Sequence, residues 1–300
     1  MAVAARARRG GHLKHYLMLA PFFTLFTAFH IVPIVYGLGM SLTRWDGVSA
    51  PVFIGLRNYQ NIFSSTGFAR SYSNLLTYVT IEVPLTILTA FLVSLVIERF
   101  HGTAANVLRS AYFLPTVIPL FLAAAVWRWM LTPDYGIVNL VVGLLFSRSI
   151  SWLADPAYMI PALIMVSMWR STGFNMIILL AGLKAIPPVY YEAAKVDGAS
   201  TLQQIRYITI PELEPVLFLV FVNGFISALQ VFDLPWLMSD SSFNGYGGPL
   251  QGMMFPVMEV MGRGFGALRF GEAAAYAFIL FAFILAVTLV QFVVRRRWTD

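Results

Sequence analysis

Six long apolar stretches constrain this chain more than any other feature of its sequence. A run of roughly 20 apolar residues is long enough to cross the hydrocarbon core of a bilayer as a helix. Only 11% of the 300 residues are charged and 59% are hydrophobic, whereas soluble domains carry about 25% charged residues. The sequence therefore predicts an all-α, polytopic membrane protein with six transmembrane helices, at about 16–40, 74–97, 110–131, 157–182, 215–238 and 271–294.

A seventh apolar stretch, 136–146, is too short to cross a bilayer. Its apolar residues recur at helical spacing, which is typical of a helix that lies in the membrane interface. No low-complexity linker divides the chain. We therefore expect one membrane domain, 16–294, between an N-terminal tail, 1–15, and a C-terminal tail, 295–300.

The distribution of lysine and arginine predicts the side of the membrane on which each loop lies. If both termini lie on one side, that side holds 12 Lys and Arg residues in 65 positions, against 6 in 90 positions on the other side. Short loops rich in these residues stay in the cytoplasm. We therefore expect a multi-pass protein of a bacterial-type plasma membrane with both termini cytoplasmic. The first apolar stretch is too long for a secretory signal, so we expect it to remain as an anchor.

The formal net charge of +6 does not indicate a nucleic-acid partner, because the basic residues lie between the apolar stretches and form no basic domain. Such a distribution is typical of a protein whose partner is the lipid bilayer. The chain has no cysteine, and its four histidines are scattered. We therefore expect no metal site.

The longest predicted cytoplasmic loop, 184–213, favours two short helices joined by a hinge. Gly198 can adopt the left-handed conformation that ends a helix. Ser200 or Thr201 can cap the second helix, which we expect to run until Pro211 stops it. The loop thus predicts a compact, surface-exposed helical hairpin.

This loop also carries a recognisable pattern of residues. Glu192-Ala193-Ala194 is followed by Gly198 and then by Ile208-Thr209-Ile210-Pro211. The pattern resembles the signature loop of ABC importer permeases, and its one departure is Ile210 in place of leucine. The flanking residues 181–187 and 196–200 are similar to the branch that handles sugars and related polar solutes, as in maltose and glycerol-phosphate importers.

The resemblance implies a type I ABC importer permease fold, in which this loop docks on a cytoplasmic ATPase. It also implies the partners: a second, homologous permease subunit, two ATPase subunits and an extracytoplasmic solute-binding protein. The chain has no Gly-x-x-x-x-Gly-Lys-Ser/Thr phosphate loop, so we expect no cofactor here and place ATP and Mg²⁺ on the ATPase partner. We expect no enzymatic activity of the chain alone. The implied ATPase contacts are Tyr191, Glu192, Ala193, Ala194, Asp197, Gly198, Ala199, Ile208 and Pro211.

Polar residues within the fourth and fifth spans mark a candidate solute pathway, because polar groups in a bilayer tend to face a cavity. In maltose-type permeases the equivalent helices line the solute site. The resemblance therefore implies that hydroxyls and amides bind solute hydroxyls while Phe174 stacks on a sugar face. The alternative is polar helix packing without solute contact. The candidate residues are Ser167, Arg170, Ser171, Phe174, Asn223, Ser227 and Gln230.

Two charged residues within the spans leave alternatives open. Arg170 could bind an anionic group of the solute, form an ion pair that gates the pathway, or extend toward the interface. Glu82 lies two residues before Pro84, and we interpret it as a packing or kink feature.

The expected function is a permease subunit for import of a sugar or related polar solute. The alternatives are import of an anionic polyol ester such as glycerol phosphate, or ion-driven secondary transport. The latter would require several buried acids, and Glu82 is the one candidate. A membrane enzyme would require a cluster of catalytic residues, and the sequence shows none.

Overall fold

The computed structural model describes residues 16–239 and 247–299, with side chains as far as residue 296, so the predicted tail 1–15 lies outside the described residues. Among the described residues, five helices are long and apolar enough to cross a membrane, and the number is six if one bent pair of helices counts as a single span. The all-α, polytopic fold is therefore confirmed. In chain order the elements are α1 (Tyr16–Ser41), β1 (Thr43–Arg44), β2 (Val52–Phe53), α2 (Arg57–Phe63), α3 (Thr66–Glu98), α4 (Gly102–Val117), α5 (Leu120–Met130), α6 (Ile137–Phe146), α7 (Pro156–Ala185), α8 (Pro188–Val196), α9 (Thr201–Leu229), α10 (Asp233–Met238), a 3₁₀ turn (Pro249–Gln251), α11 (Pro256–Met261), a π-helical turn (Gly262–Gly266) and α12 (Phe270–Thr299).

The described residues form two compact units, of which the first comprises residues 16–64 and 260–279. In this unit β1 and β2 pair antiparallel, with Thr43 opposite Phe53. The amide of Asn58 donates hydrogen bonds of 2.8 Å to the carbonyls of Ser41 and Thr43, which fixes α2 to the end of α1. In the turn between the strands, two backbone amides and a serine hydroxyl donate to Asp46 and lower the pKa of that exposed carboxyl to about 2.

The second unit comprises the described residues 65–239, 247–259 and 280–299, and its core lies where α3 packs along α7. Leu75 and Tyr78 of α3 and Leu163 of α7 are buried in one apolar cluster. Local capping explains where these helices begin. The Ser65 hydroxyl accepts the amide of Phe68, and the Asp155 carboxylate accepts the amide of Ala157, each satisfying an otherwise free helix N–H group.

The predicted span 110–131 is divided between two helices, α4 and α5, which meet at an angle of 96°. The break lies at Ile118, whose ψ of 129° is extended, immediately before Pro119. Proline disfavours a helical conformation in the residue before it and lacks an N–H donor. The bend therefore has a local cause that apolar length does not reveal.

The predicted span 215–238 also differs from the structure at both ends. Pro211 does not stop the preceding helix, since α9 continues through Pro211 after a π-helical turn at Ile205–Thr209. The wider backbone of this turn accommodates the missing N–H donor of the proline. At the other end α9 stops at Leu229, and α10 is a separate short helix. Pro235 explains this break, because in a continuous helix its ring would clash with the carbonyl of Val231.

Candidate functional site

A pocket of about 380 Å³, with polar side chains among its mainly apolar lining, lies within the second unit, bordered by α3, α4, α5, α7, α9 and the segment that follows α9. All of the candidate solute residues border it, although the sequence placed them on two separate helices. The structure thus brings together Ser167, Arg170, Ser171, Phe174, Asn223, Ser227 and Gln230.

Helical spacing accounts for this convergence. Ser167, Ser171 and Phe174 recur at four and three residues along α7, so they share one face of that helix. Asn223 and Ser227 share a face of α9 in the same way. Gln230 borders the pocket from a different backbone position. It is the residue after the last turn of α9, where φ is −104° and the helix has already ended.

The surroundings of Arg170 bear on the three roles that the sequence left open for it, which are anion binding, a gating ion pair and extension toward the interface. Its Nε atom is buried and has no hydrogen-bond partner. No carboxylate of the described residues lies within ion-pair distance of its guanidinium. The backbone carbonyl of Arg170 accepts the hydroxyl of Thr116 at 2.9 Å, which ties α7 to α4. The guanidinium is therefore held at the pocket without an acidic partner from the described part of the chain.

Glu82 borders the pocket, and its carboxylate joins α3 to α7. This hydrogen bond between two helices agrees with the expected packing role, whereas the position of Glu82 at the pocket was not expected from the sequence. Its Oε1 accepts the hydroxyls of Ser167 and Thr86, each at 3.0 Å. Tyr78 in turn donates to Ser167 at 2.8 Å. A signal was available, because Tyr78, Glu82 and Thr86 recur every four residues and so share one helical face.

The loop after α7 folds as a helix, a glycine hinge and a second helix. Gly198 has φ +76°, in the left-handed region, and the amide of Ala199 donates to the carbonyl of Ala194 at 2.9 Å. Ser200 caps α9, and its side chain and that of Gln203 form a reciprocal capping box.

The implied ATPase contacts divide into two groups by exposure. Glu192, Ala193, Asp197, Gly198 and Pro211 are exposed, and Ala194 and Ala199 are half-buried, so these residues are accessible to a partner. In contrast, Tyr191 and Ile208 pack against the apolar cluster between α3, α7 and α9. Those two side chains therefore support the loop from within.

Long apolar helices, a pocket between them that polar side chains border, and a helical loop joining two pocket helices define a membrane transport subunit with the type I importer permease fold. The fold matches a crystal structure of a bacterial ABC transporter involved in the import of the acidic polysaccharide alginate. The TM-score is 0.83 at 24% identity, with 100% of each chain covered. The chain belongs to the family described as binding-protein-dependent transport system inner membrane component, whose profile matches residues 83–300.

Curated relatives agree with this assignment. The chain is 33% identical over 300 residues to the probable ABC transporter permease protein YesP of Bacillus subtilis, covering 98% of this chain and 94% of YesP. It is 31% identical over 284 residues to the trehalose/maltose transport system permease protein MalF of Thermococcus litoralis, covering 94% and 93%. It is 30% identical over 284 residues to the sulfoquinovosyl glycerol transport system permease protein SmoG of Agrobacterium fabrum, covering 94% and 90%. The family and permease role predicted from the loop are confirmed, and the family description places the protein in an inner membrane.

Proposed function

We propose that this permease forms half of an import pathway for a sugar or a related neutral, hydroxyl-rich solute. The observation that carries the proposal is the pocket itself, where polar side chains of α7 and α9 converge. The loop that contains α8 connects these two helices. Hydroxyl and amide groups can both donate to and accept from solute hydroxyls. Phe174, which is 46% exposed, offers an aromatic face for the apolar side of a sugar ring.

The names of relatives support a polyhydroxylated solute. They include transport systems for trehalose and maltose, for sulfoquinovosyl glycerol and for lactose. These solutes share a polyhydroxylated ring, whose hydroxyls suit the hydroxyl and amide groups that border the pocket.

The proposed complex contains a second permease of the same family, two ATPase subunits that bind ATP and Mg²⁺, and an extracytoplasmic solute-binding protein. The alginate transporter with the same fold has been crystallised with a pentasaccharide-bound periplasmic protein. We place both termini and the α8–α9 loop in the cytoplasm, on the basis of the Lys and Arg distribution. The exposed part of the loop, around Glu192 and Gly198, then contacts an ATPase subunit.

Import of an anionic polyol ester is the second candidate, and the partnerless Nε of Arg170 is the observation that favours it. Two acids, Glu82 and Asp233, border the same pocket. Their charges oppose the entry of an anion, so the neutral solute is the better fit.

The decisive experiment purifies the chain in mild detergent from its native membrane and identifies its bound proteins by mass spectrometry. A second permease and an ATPase are expected in the eluate. After reconstitution with the solute-binding protein, the complex is expected to import a neutral sugar faster than glycerol 3-phosphate. A chain that elutes alone, or a complex that prefers glycerol 3-phosphate, would contradict the proposal.

A further inference from the structure

We infer that Glu82 binds the solute directly, with one carboxylate oxygen accepting solute hydroxyls, and that its charge makes the pocket select neutral over acidic sugars. This inference rests on the proposed function of the pocket. It gives Glu82 a role that neither the loop signature nor the polar faces of α7 and α9 assigned.

The first step is that Oε1 is already held in place. It accepts hydroxyls from two helices, from Thr86 on α3 and from Ser167 on α7, both at 3.0 Å. Because Ser167 gives its single proton to Glu82, and accepts one from Tyr78, it has no proton left for a solute. The structure therefore assigns Ser167 to positioning the carboxylate.

The second step is that Oε2 has unused capacity. An ionised carboxylate can accept about four hydrogen bonds, whereas Glu82 accepts two from the described part of the chain, both at Oε1. The side chain is only 5% exposed and borders the pocket. A buried carboxylate with unfilled acceptor sites is costly, and acids kept at such depth in a membrane tend to serve function. Hydroxyls of a sugar are the donors that would fill those sites.

The third step concerns charge. Among the described residues, Glu82 and Asp233 border the pocket together with one cation, Arg170. In a medium of low dielectric constant a fixed negative charge strongly opposes a second one. A neutral sugar can donate to Glu82 and accept from Arg170, whereas a sugar acid must approach two carboxylates. Glu82 thus sets both hydroxyl recognition and charge preference.

The test compares Glu82→Gln with the wild type in the purified complex, without the solute-binding protein, so that the pathway site alone is measured. The glutamine oxygen can keep the hydrogen bonds from Thr86 and Ser167. The amide nitrogen, a donor, then takes the position of the acceptor Oε2. Dissociation constants are measured for radiolabelled maltose, trehalose and lactose, and for lactobionate as the acidic counterpart of lactose. Asp134→Asn, an exposed acid outside the pocket, is the matched control.

For Glu82→Gln we expect neutral sugars to bind about tenfold to a hundredfold more weakly, as for loss of a hydrogen bond to a charged group. The preference of Glu82→Gln for lactose over lactobionate should shrink, while its midpoint of thermal unfolding stays unchanged. The control variant Asp134→Asn should bind all the sugars as the wild type does. If Glu82→Gln fails to fold, Glu82→Asp replaces it in the test. Aspartate keeps the charge but withdraws it from the pocket, so the affinity for the neutral sugars should fall in the same way.

Two other results would overturn the inference, and they are distinguishable. Unchanged affinity in Glu82→Gln, with weakened binding when Ser227 and Gln230 are changed to leucine, would reject the role of Glu82 and leave the proposed function standing. Failure of the wild-type complex to bind any of the neutral sugars would reject both.

Discussion

The hydroxyl of Tyr191 lies 3.0 Å from the hydroxyl of Thr209, which links α8 to the π-helical turn within α9. Thr209 is buried, and Tyr191 packs against the apolar cluster that also contains Leu183 of α7. The loop is therefore braced against the helix that carries Asn223 and Ser227. A displacement of α8 by a partner would thus act on the pocket through α9.

Removal of this brace should loosen the loop without unfolding the protein. For Tyr191→Phe we expect the free energy of local unfolding to fall by about 1 kcal/mol, the usual net value of one hydrogen bond, because the ring and its packing remain. Hydrogen exchange of the amides in residues 188–209 should then accelerate about fivefold. Thr209→Val also removes the 3.4 Å bond from the Thr209 hydroxyl to the Gln204 carbonyl, so its effect should be at least as large, and the double variant should add little to Thr209→Val. Fully additive effects would show that the two hydroxyls act independently.

A charge at the hinge should block transport by acting on the partner surface. Gly198 has φ +76°, and a Cβ built there meets nothing within 4 Å, so a side chain has room in this chain. We expect Gly198→Asp to reduce uptake to background while the protein is still inserted and folded. Gly198→Asn is the matched control, since asparagine has the same shape and also tolerates this conformation. Equal uptake by the two variants would exclude an electrostatic contact at the hinge.

Loss of polar groups from the pocket should impair solute passage while the ATPase remains bound. For the double change Ser227→Leu and Gln230→Leu we expect at least a tenfold fall in uptake, because two hydrogen-bonding groups are lost and the pocket is narrowed. The matched control is Thr77→Leu with Thr89→Leu. Thr77 is exposed and Thr89 is half-buried, and within the described part of the chain each hydroxyl donates to a carbonyl of its own helix. Survival of uptake for every tested solute would remove these residues from the pathway.

The close approach of α7 to α4 should make Gly173 intolerant of any side chain. A Cβ at Gly173 would overlap the backbone carbonyl of Tyr112, which cannot move independently of its helix. For Gly173→Ala we expect the free energy of unfolding to fall by about 1–3 kcal/mol, the usual cost of overpacking. The midpoint of thermal unfolding in detergent should fall with it.

Gly143 provides the control for that substitution. It lies inside α6, and a Cβ there meets nothing within 4 Å. Gly143→Ala should therefore leave the midpoint unchanged or raise it, since alanine favours a helix by about 0.5–1 kcal/mol over glycine. A lower midpoint for both variants would show that the space around Gly173 is not what matters.

Local sequence was sufficient for the class of fold and for the family. Within a bilayer the backbone must satisfy its own hydrogen bonds, so a long apolar stretch has little choice but to form a helix. The loop motif could also be recognised locally, because Gly198 and the Ser200 cap act through residues only a few positions away. The same periodicity put Ser171 and Phe174 on one face and Asn223 and Ser227 on another.

Only the tertiary structure decided which of these polar groups meet. Glu82 and Ser167 are 85 positions apart in the chain, and their hydrogen bond exists because α3 and α7 pack side by side. The hydroxyl proton of Ser167, a candidate solute donor in the sequence, is directed to Glu82 by that contact. Apolar length and helical period describe one helix at a time, whereas a hydrogen bond between two helices depends on how both of them pack.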